Sequence, residues 1–364
     1  MDCGAARQAL ALVGTGGSLT QHNRGRAYAI RAVGGQAGGS ARDTRLVCRI
    51  GIGAATVTRV KVHSPAIEGN LEGNSAERDV IVVLPTGYSQ DPERRYPVIY
   101  FLHGFTGTAE GSDKYMGFGE AMTAAAGQGL EAILVVPDSY TKHGGSMYSS
   151  SPTTGDFEAF IGRDLVAYVD SNFRTLARRE SRGLSGHSMG GYGTLRIGMK
   201  YPEVFSSLYA MSSCCLSART ITPDRGRRLE TMSMEEAEKA DFGTRADFAA
   251  AAAWSPAPDK PPFFLEHGTK DDEVQPTVLA QWAANAPNAM VPQYVPALRS
   301  MTAIALDIGD KDGLIRDNGA LTALLNRLGV NHSYDVYDGD HMNRVPQRFR
   351  DFVLPFFAQH LARE

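Results

Sequence analysis

The sequence predicts an α/β protein with a mostly parallel central sheet that is flanked by helices. Three observations support this class. Short apolar runs that suit strands buried on both faces recur along the chain, helical patterns separate them, and one glycine-rich turn lies between a strand and a helix. Strands that alternate with helices pair mainly in parallel, because each helix returns the chain to the same end of the sheet.

The strands are predicted where apolar residues alternate or run together without a break. They lie at 57–62, 78–85, 96–104, 132–138, 205–211, 302–307 and 332–337, and a further strand leads into the glycine-rich turn near residue 184. Amphipathic helices are predicted at 156–173, 190–199, 317–328 and 346–361.

The alternation of strands and helices divides the chain into a tail and one domain. Residues 1–52 are rich in Gly, Ala, Arg and Ser without a sustained period, which predicts a flexible or processed tail. Residues 53–364 form the predicted catalytic domain. Within it, residues 217–300 break the alternation, with two expected helices at 275–284 and 291–299. We therefore expect 217–300 to be a cap or lid inserted over the sheet.

Composition excludes several classes of function. The 364 residues carry a net charge of −3, which argues against a nucleic-acid partner, and no apolar run of about 18 residues predicts a membrane span. The apolar stretch 9–13 lacks the basic flank and the length of a secretory signal. The cysteines, Cys3, Cys48, Cys214 and Cys215, show no zinc-site spacing, so we expect neither a disulfide framework nor a metal.

The glycine-rich turn has the pattern Gly-x-Ser-x-Gly, with Ser188 between Gly186 and Gly190. A serine on a sharp turn between a strand and a helix has a strained backbone, and small neighbours relieve the crowding. The turn raises the hydroxyl above the sheet edge, where the N-terminus of the following helix offers free N–H groups. The pattern therefore predicts that Ser188 is a nucleophile.

A serine hydroxyl needs a base to activate it, and His341 is the best candidate. It follows the last predicted strand, where a loop can reach over the sheet edge toward Ser188. The other histidines considered fit less well: His103 precedes a glycine loop, His187 adjoins Ser188 and is expected to point away from it, and His267 lies in the predicted cap.

The base in turn needs a carboxylate that fixes its tautomer. Two segments share the form Gly-x-x-Asp: Gly309–Asp312 after a strand, and Gly268–Asp271 in the predicted cap. We prefer Asp312, because it ends a strand of the regular alternation and leaves room for one helix and one strand before His341. Asp271 and Asp310 remain alternatives. The order Ser, Asp, His is the one found in α/β-hydrolases.

Two backbone N–H groups are expected to stabilise the oxyanion of a tetrahedral intermediate. Met189 directly follows the serine at the start of the helix and supplies one. The loop after the strand at 96–104 supplies the other, from Phe105, because Gly104 lets the backbone approach closely.

These motifs together resemble a family of esterases within the α/β-hydrolases that includes feruloyl esterases, S-formylglutathione hydrolases (esterase D) and the antigen 85 mycolyltransferases. The resemblance spans about residues 57–362 and is loosest over 217–300. It is carried by the segments 96–105, 164–165, 174–175, 186–193, 309–313 and 339–341. Esterase D-like sequences usually have a cysteine shortly after the oxyanion strand, and this chain has Phe105–Thr108 there, which argues against the formylglutathione reaction.

The resemblance implies an α/β-hydrolase fold and a serine esterase that acts without cofactor or metal on a small-molecule or polysaccharide-linked ester. An acyltransferase with the same three residues is the first alternative, and a non-catalytic binding protein with a hydrolase fold is the second. Oligomeric state is not predicted, and both an exported and a cytoplasmic location stay open. The aromatic candidates for the substrate pocket, each expected more often in the core, are Phe105, Tyr148, Trp254, Trp282 and Tyr294.

Overall fold

The structure is a computed structural model and describes residues 53–364. Its centre is one eight-stranded sheet with the spatial order β1-β2-β4-β3-β5-β6-β7-β8. Strand β2 runs antiparallel to both of its neighbours, and all other neighbouring pairs are parallel. The strands are β1 (Thr56–His63), β2 (Glu77–Leu84), β3 (Val98–Leu102), β4 (Ile133–Pro137), β5 (Arg182–His187), β6 (Ser207–Met211), β7 (Ala303–Gly309) and β8 (Ser333–Tyr337). The predicted α/β fold with a mostly parallel sheet is therefore confirmed.

Helices cover both faces of this sheet. They are α1 (Ala109–Met116), α2 (Phe118–Gly127), α3 (Leu165–Asn172), α4 (Met189–Lys200), α5 (Pro223–Glu230), α6 (Met234–Lys239), α7 (Phe242–Trp254), α8 (Pro276–Ala284), α9 (Pro287–Met290), α10 (Val295–Arg299), α11 (Ile315–Arg327), α12 (Val345–Arg348) and α13 (Leu354–His360). Short pieces complete the chain: strand pairs Ser150–Ser151 with Gly155–Asp156 and Thr269–Lys270 with Glu273–Val274, an α-turn Phe157–Ala159, π-helical turns Phe160–Asp164 and Phe349–Val353, and 3₁₀ turns Arg179–Ser181 and Val291–Gln293.

The core has two layers, one on each face of the sheet. Along β2, Val80 and Val82 belong to one layer while Ile81 and Val83 belong to the other, because successive side chains of a strand point to opposite faces. The first layer contains α3, α4, α7 and α11, and the second contains α1, α2 and α13. Burial on both faces explains why the central strands read as continuous apolar runs.

Three predicted helices differ in detail from the observed ones. The segment 156–173, predicted as one helix, consists of an α-turn, a π-helical turn and α3 in succession. The segment 346–361, also predicted as one helix, has the same kind of π-helical interruption before α13. The prediction at 291–299 is a 3₁₀ turn followed by α10. Pro292 and Pro296 lack the N–H that a continuous helix would use, so the helix stays broken there.

The segment between β6 and β7 contains α5 to α10 and a two-residue strand pair. One buried tryptophan joins it to the rest of the domain, and a second makes a hydrogen bond within the segment itself. Trp254 at the end of α7 donates from Nε1 to Ser149 Oγ at 3.1 Å, and Trp282 of α8 donates to Ser255 Oγ at 2.8 Å. The Trp254 bond therefore packs the segment against the rest of the domain through a buried aromatic group whose polar end is satisfied.

Two further expectations concern the N-terminal tail and membrane-spanning helices. The predicted tail, 1–52, lies outside the described residues. Over residues 53–364, no helix has both the length and the apolar character that crossing a membrane requires.

Candidate active site

Ser188 lies on a sharp turn between β5 and α4. Its backbone has φ 59° and ψ −112°, a positive φ that is unusual for a residue with a side chain. Neighbouring N–H groups hold this conformation. The Ser188 carbonyl accepts hydrogen bonds from Tyr192 N–H at 3.0 Å and from Cys214 N–H at 3.1 Å, and the Ser188 N–H donates to the Met211 carbonyl at 2.9 Å. The strained turn is thus fixed from α4 and from β6 together.

The tightness of this turn depends on Gly190. A Cβ atom at residue 190 would collide with the backbone carbonyl of Leu102 in β3. Helix α4 therefore begins in direct backbone contact with the neighbouring strand, and only glycine permits that approach.

Ser188, His341 and Asp312 form one chain of hydrogen bonds. His341 Nε2 lies 2.9 Å from Ser188 Oγ, and His341 Nδ1 lies 2.7 Å from Asp312 Oδ2. The carboxylate accepts from Nδ1–H, so Nε2 carries a free lone pair that faces the serine hydroxyl. The structure brings together the three side chains that the sequence nominated, although 153 residues separate Ser188 from His341.

The environment of Asp312 keeps its carboxylate charged. The side chain is buried, which alone would raise its pKa, but hydrogen bonds from His341 and from the Leu314 N–H at 2.9 Å outweigh burial and lower the pKa. The two alternative carboxylates lie elsewhere. Asp310 is exposed and accepts from the Gly339 N–H, and Asp271 occupies an exposed turn where its N–H donates to Glu230.

The loop after β3 approaches Ser188 closely. A Cβ built on Gly104 would lie 3.5 Å from Ser188 Cβ, so this glycine lies directly beside the serine. The buried ring of His103 fixes the loop: Ser139 N–H donates to His103 Nε2 at 2.8 Å, which puts the ring proton on Nδ1, and Nδ1 donates to the Gly104 carbonyl at 2.9 Å. Burial lowers the pKa of His103, which keeps this ring neutral.

Two N–H groups border the serine without a partner. Within residues 53–364, neither the Phe105 N–H nor the Met189 N–H donates a hydrogen bond to another residue. Met189 is the first residue of α4, whose early N–H groups have no intrahelical acceptor. Phe105 follows Gly104 on the neighbouring loop. The structure therefore leaves free the two donors that the sequence nominated.

His187 has a position that the sequence did not predict. Its ring lies against the ring of His341, with 4.8 Å between the ring centroids. Its Nε2–H donates to the backbone carbonyl of His341 at 2.8 Å. Burial and the neighbouring His341 lower the pKa of His187 to about 4, so the ring stays neutral. No local sequence signal links these residues, because the contact depends on the docking of the loop after β8 onto β5.

Among the aromatic candidates for the substrate pocket, Tyr148 and Trp254 lie in the core, whereas Phe105 lies at its edge. Tyr148 and Trp254 are buried, and Tyr148 donates to the His103 carbonyl at 3.0 Å. Phe105 is half-buried and meets Phe242 of α7 edge to face, with 5.2 Å between ring centroids. The Phe242 side chain is 64% exposed, and no pattern in the sequence marks it as a residue of the site. No cluster of three or more His, Cys, Asp or Glu side chains suited to a metal occurs in the described part of the chain.

A family model described as "Putative esterase" matches residues 74–351, which is most of the chain and includes every residue of this site. The chain belongs to this esterase family. The match extends over β2 to β8 and includes α12, so the family and the α/β-hydrolase fold predicted from the sequence motifs are confirmed.

Individual curated proteins resemble parts of this chain. An esterase of Mycobacterium tuberculosis is 32% identical over 133 residues, which are 35% of this chain and 27% of that protein. An endo-1,4-β-xylanase/feruloyl esterase of Xylanibacter ruminicola is 32% identical over 34% of this chain and 18% of its own length. The aligned stretches thus cover about a quarter or less of these two relatives.

The fold has solved counterparts. A ferulic acid esterase structure superposes with a TM-score of 0.62 at 22% identity and covers 84% of this chain and 98% of its own. At this identity the likeness describes the fold.

Proposed function

We propose that this chain is a serine esterase that hydrolyses carboxylic esters through Ser188, His341 and Asp312. The observation that carries the proposal is the continuous hydrogen-bond chain from Asp312 through His341 to Ser188 Oγ, at 2.7 and 2.9 Å. Family membership supports the same reaction class.

In this reaction Ser188 Oγ attacks the ester carbonyl while His341 Nε2 accepts the hydroxyl proton. Asp312 stabilises the resulting imidazolium and holds its orientation. The N–H groups of Phe105 and Met189 stabilise the oxyanion, a contribution of about 10²- to 10³-fold in rate for each donor. His341 then protonates the leaving alcohol, and a water activated by the same histidine hydrolyses the acyl-enzyme.

The substrate proposal is a feruloyl-type or short-chain acyl ester. The names of the relatives point to feruloyl esters for the Xylanibacter ruminicola enzyme and for the ferulic acid esterase structure. We propose that residues 217–300 act as a cap over this site. The contact of Phe242 with Phe105 supports that role, because it places α7 beside a proposed oxyanion donor.

The test is hydrolysis of an ester panel by the wild type and by Ser188→Ala. The panel contains p-nitrophenyl acetate, butyrate and octanoate together with methyl ferulate. We expect turnover of at least one ester to fall about 10⁴- to 10⁶-fold in Ser188→Ala, with the fold retained by circular dichroism. Equal rates in both proteins would overturn the assignment of the nucleophile. Acyl transfer to an added alcohol, in place of hydrolysis, would point to the acyltransferase alternative.

A further inference from the structure

Two adjacent cysteines lie beside the proposed nucleophile and take no part in the reaction described above. Cys214 and Cys215 follow β6 at the same edge of the sheet as Ser188, and both are half-buried free thiols. Their sulfur atoms are 2.7 Å apart. Cys215 has a φ of 58°, so its backbone already deviates from the usual range for a residue with a side chain.

We propose that Cys214 and Cys215 form a reversible redox modification site, in which a peroxide converts the two thiols to a vicinal disulfide that lowers the activity of Ser188. The effect on activity rests on the proposed function, and the modification itself does not.

The chemistry is balanced with hydrogen peroxide as the oxidant. The Cys215 sulfur attacks one peroxide oxygen, the O–O bond breaks, and the departing hydroxide takes a proton to become water, which leaves Cys215 as a sulfenic acid. The Cys214 sulfur then attacks the Cys215 sulfur; the S–S bond forms, the S–O bond breaks, and a second water leaves with the Cys214 proton. The hydrogen bond from Cys214 and the positive charge of Arg219 lower the pKa of Cys215, which favours it as the first sulfur to react.

A vicinal disulfide is strained, and this strain makes it reversible. Consecutive Cα atoms lie about 3.8 Å apart across a trans peptide, whereas disulfides usually join Cα atoms about 4.4–6.8 Å apart. Closing the ring must therefore distort the peptide between Cys214 and Cys215. Strained disulfides are reduced more easily than structural ones, as a regulatory bond requires.

The distortion has a direct path to the serine. The Cys214 N–H donates to the Ser188 carbonyl at 3.1 Å and is one of the two bonds that hold this carbonyl. The residues on either side of the pair are anchored: the Ser213 carbonyl accepts from Asn318 Nδ2 at 2.9 Å, and the Leu216 carbonyl accepts from the Asn288 N–H at 2.9 Å. Because both flanks are held, movement of the Cys214 peptide acts on the turn that positions Ser188.

The experiment uses the full chain with Cys3→Ser and Cys48→Ser, so that Cys214 and Cys215 are its only thiols. This protein is treated with hydrogen peroxide and then with dithiothreitol. At each stage we measure intact mass, the rate of fluorophosphonate labelling of Ser188, and hydrolysis of an ester that the reduced protein turns over. We expect the loss of two hydrogen atoms in mass, a decrease of at least about tenfold in labelling and hydrolysis, and recovery after reduction.

The control is the same protein with Cys215→Ser, with Cys215→Ala as a second variant should the first fold poorly. We expect ordinary activity before peroxide and no reversible decrease after it. Two results would overturn the proposed modification site. One is oxidation without the loss of two hydrogen atoms in mass, and the other is an equal reversible decrease in labelling and hydrolysis in the control. A disulfide with unchanged labelling would overturn its coupling to Ser188. A different result would count against the proposed esterase function instead. In that case peroxide would form the disulfide, but the protein would neither hydrolyse esters nor react with the fluorophosphonate even before peroxide is added.

Discussion

The hydrogen bond between Asp312 and His341 decides which nitrogen of the histidine faces Ser188. A carboxylate accepts from Nδ1–H and leaves Nε2 free as a base, whereas an amide in the same place can donate to Nδ1 and stabilise the wrong tautomer. His341 Nδ1 lies 2.7 Å from Asp312 Oδ2 and His341 Nε2 lies 2.9 Å from Ser188 Oγ, so each ring nitrogen has one definite partner.

We therefore expect Asp312→Asn to lower kcat by about 10³- to 10⁴-fold, while Asp271→Asn changes it less than about twofold. The two variants make the same chemical change, one in the hydrogen-bond chain and one in an exposed turn. Kinetics with the best ester of the panel measure both. If Asp271→Asn proved the more damaging variant, the carboxylate of the site would lie in the segment 217–300.

At this scale the sequence predicted the positions that have a local pattern. Ser188 was found from its glycine neighbours, and His341 and Asp312 from their places after strands. His187 was missed because its contact is with the backbone of a residue 154 positions away, and no spacing in the chain reports such a contact. Phe242 was missed because an exposed aromatic residue at the start of a helix resembles any surface residue.

Among the elements, the loop between β1 and β2 buries an unusual pair against the segment that follows β4. Glu72 Oε1 lies 3.7 Å from His143 Nε2, and both side chains are almost fully buried. Burial raises the pKa of Glu72 to about 7 and lowers the pKa of His143 to about 4. Both groups are thus neutral in mildly acidic solution, and the ring of His143 stacks on Phe248 of α7. This pair joins the domain to the proposed cap.

We expect Glu72→Gln to stabilise the protein more at pH 8 than at pH 5, by about 2 kcal/mol. The folded pKa of Glu72 lies above its unfolded value of about 4.5, so the wild type loses stability as the pH rises through about 7 and the buried carboxylate ionises. Glutamine keeps the acceptor for Asn74 without the charge. Urea unfolding at both pH values measures the difference, and Glu93→Gln at an exposed position is the matched control. An equal effect at pH 5 and pH 8 would contradict a buried ionisation.

The predicted elements were most accurate where one periodic pattern dominates. The strands agree with the structure to within two residues at most ends, because burial on both faces produces continuous apolar runs. Helices α1 and α2 were not predicted, since Gly111, Gly117, Gly119 and Gly127 interrupt the helical pattern. These glycines are tolerated because the apolar side chains of both helices pack on the sheet, so tertiary contacts outweigh intrinsic helix propensity.

For the molecule as a whole, buried neutral histidines dominate the response to acid. Burial lowers the pKa of His143, His187 and His267 to about 4, and it also lowers the pKa of His103. The unfolded chain binds protons at these positions from about pH 6.5 downward, whereas the folded chain does not. Burial raises the pKa of three carboxyl groups of the described residues, Glu72, Asp113 and Asp307, which opposes this effect. The histidines outnumber them, so the balance favours unfolding in acid.

We expect the free energy of unfolding to decrease from pH 6.5 to pH 4.5, and the decrease to be shallower in His267→Gln by up to about 1.4 kcal/mol per pH unit. His267 is the suitable site because it contacts neither Ser188 nor His341, and its ring lies edge-on to Phe248. Urea titrations at half-unit intervals give the slope for each protein. Parallel slopes would mean that His267 binds a proton equally in the folded and unfolded chains.

The backbone contact at Gly190 has a consequence for how this chain tolerates mutation. A single added methyl group at residue 190 would push α4 away from β3 and carry Ser188 and the Met189 N–H with it. The damage would reach the reacting atoms although residue 190 contributes no side chain to the site. In a population of variants, residue 190 is thus expected to accept glycine alone, as strictly as a residue that takes part in the reaction. The choice of residue at position 190 is limited by the space between the backbones of α4 and β3, and not by a side chain that contacts the ester.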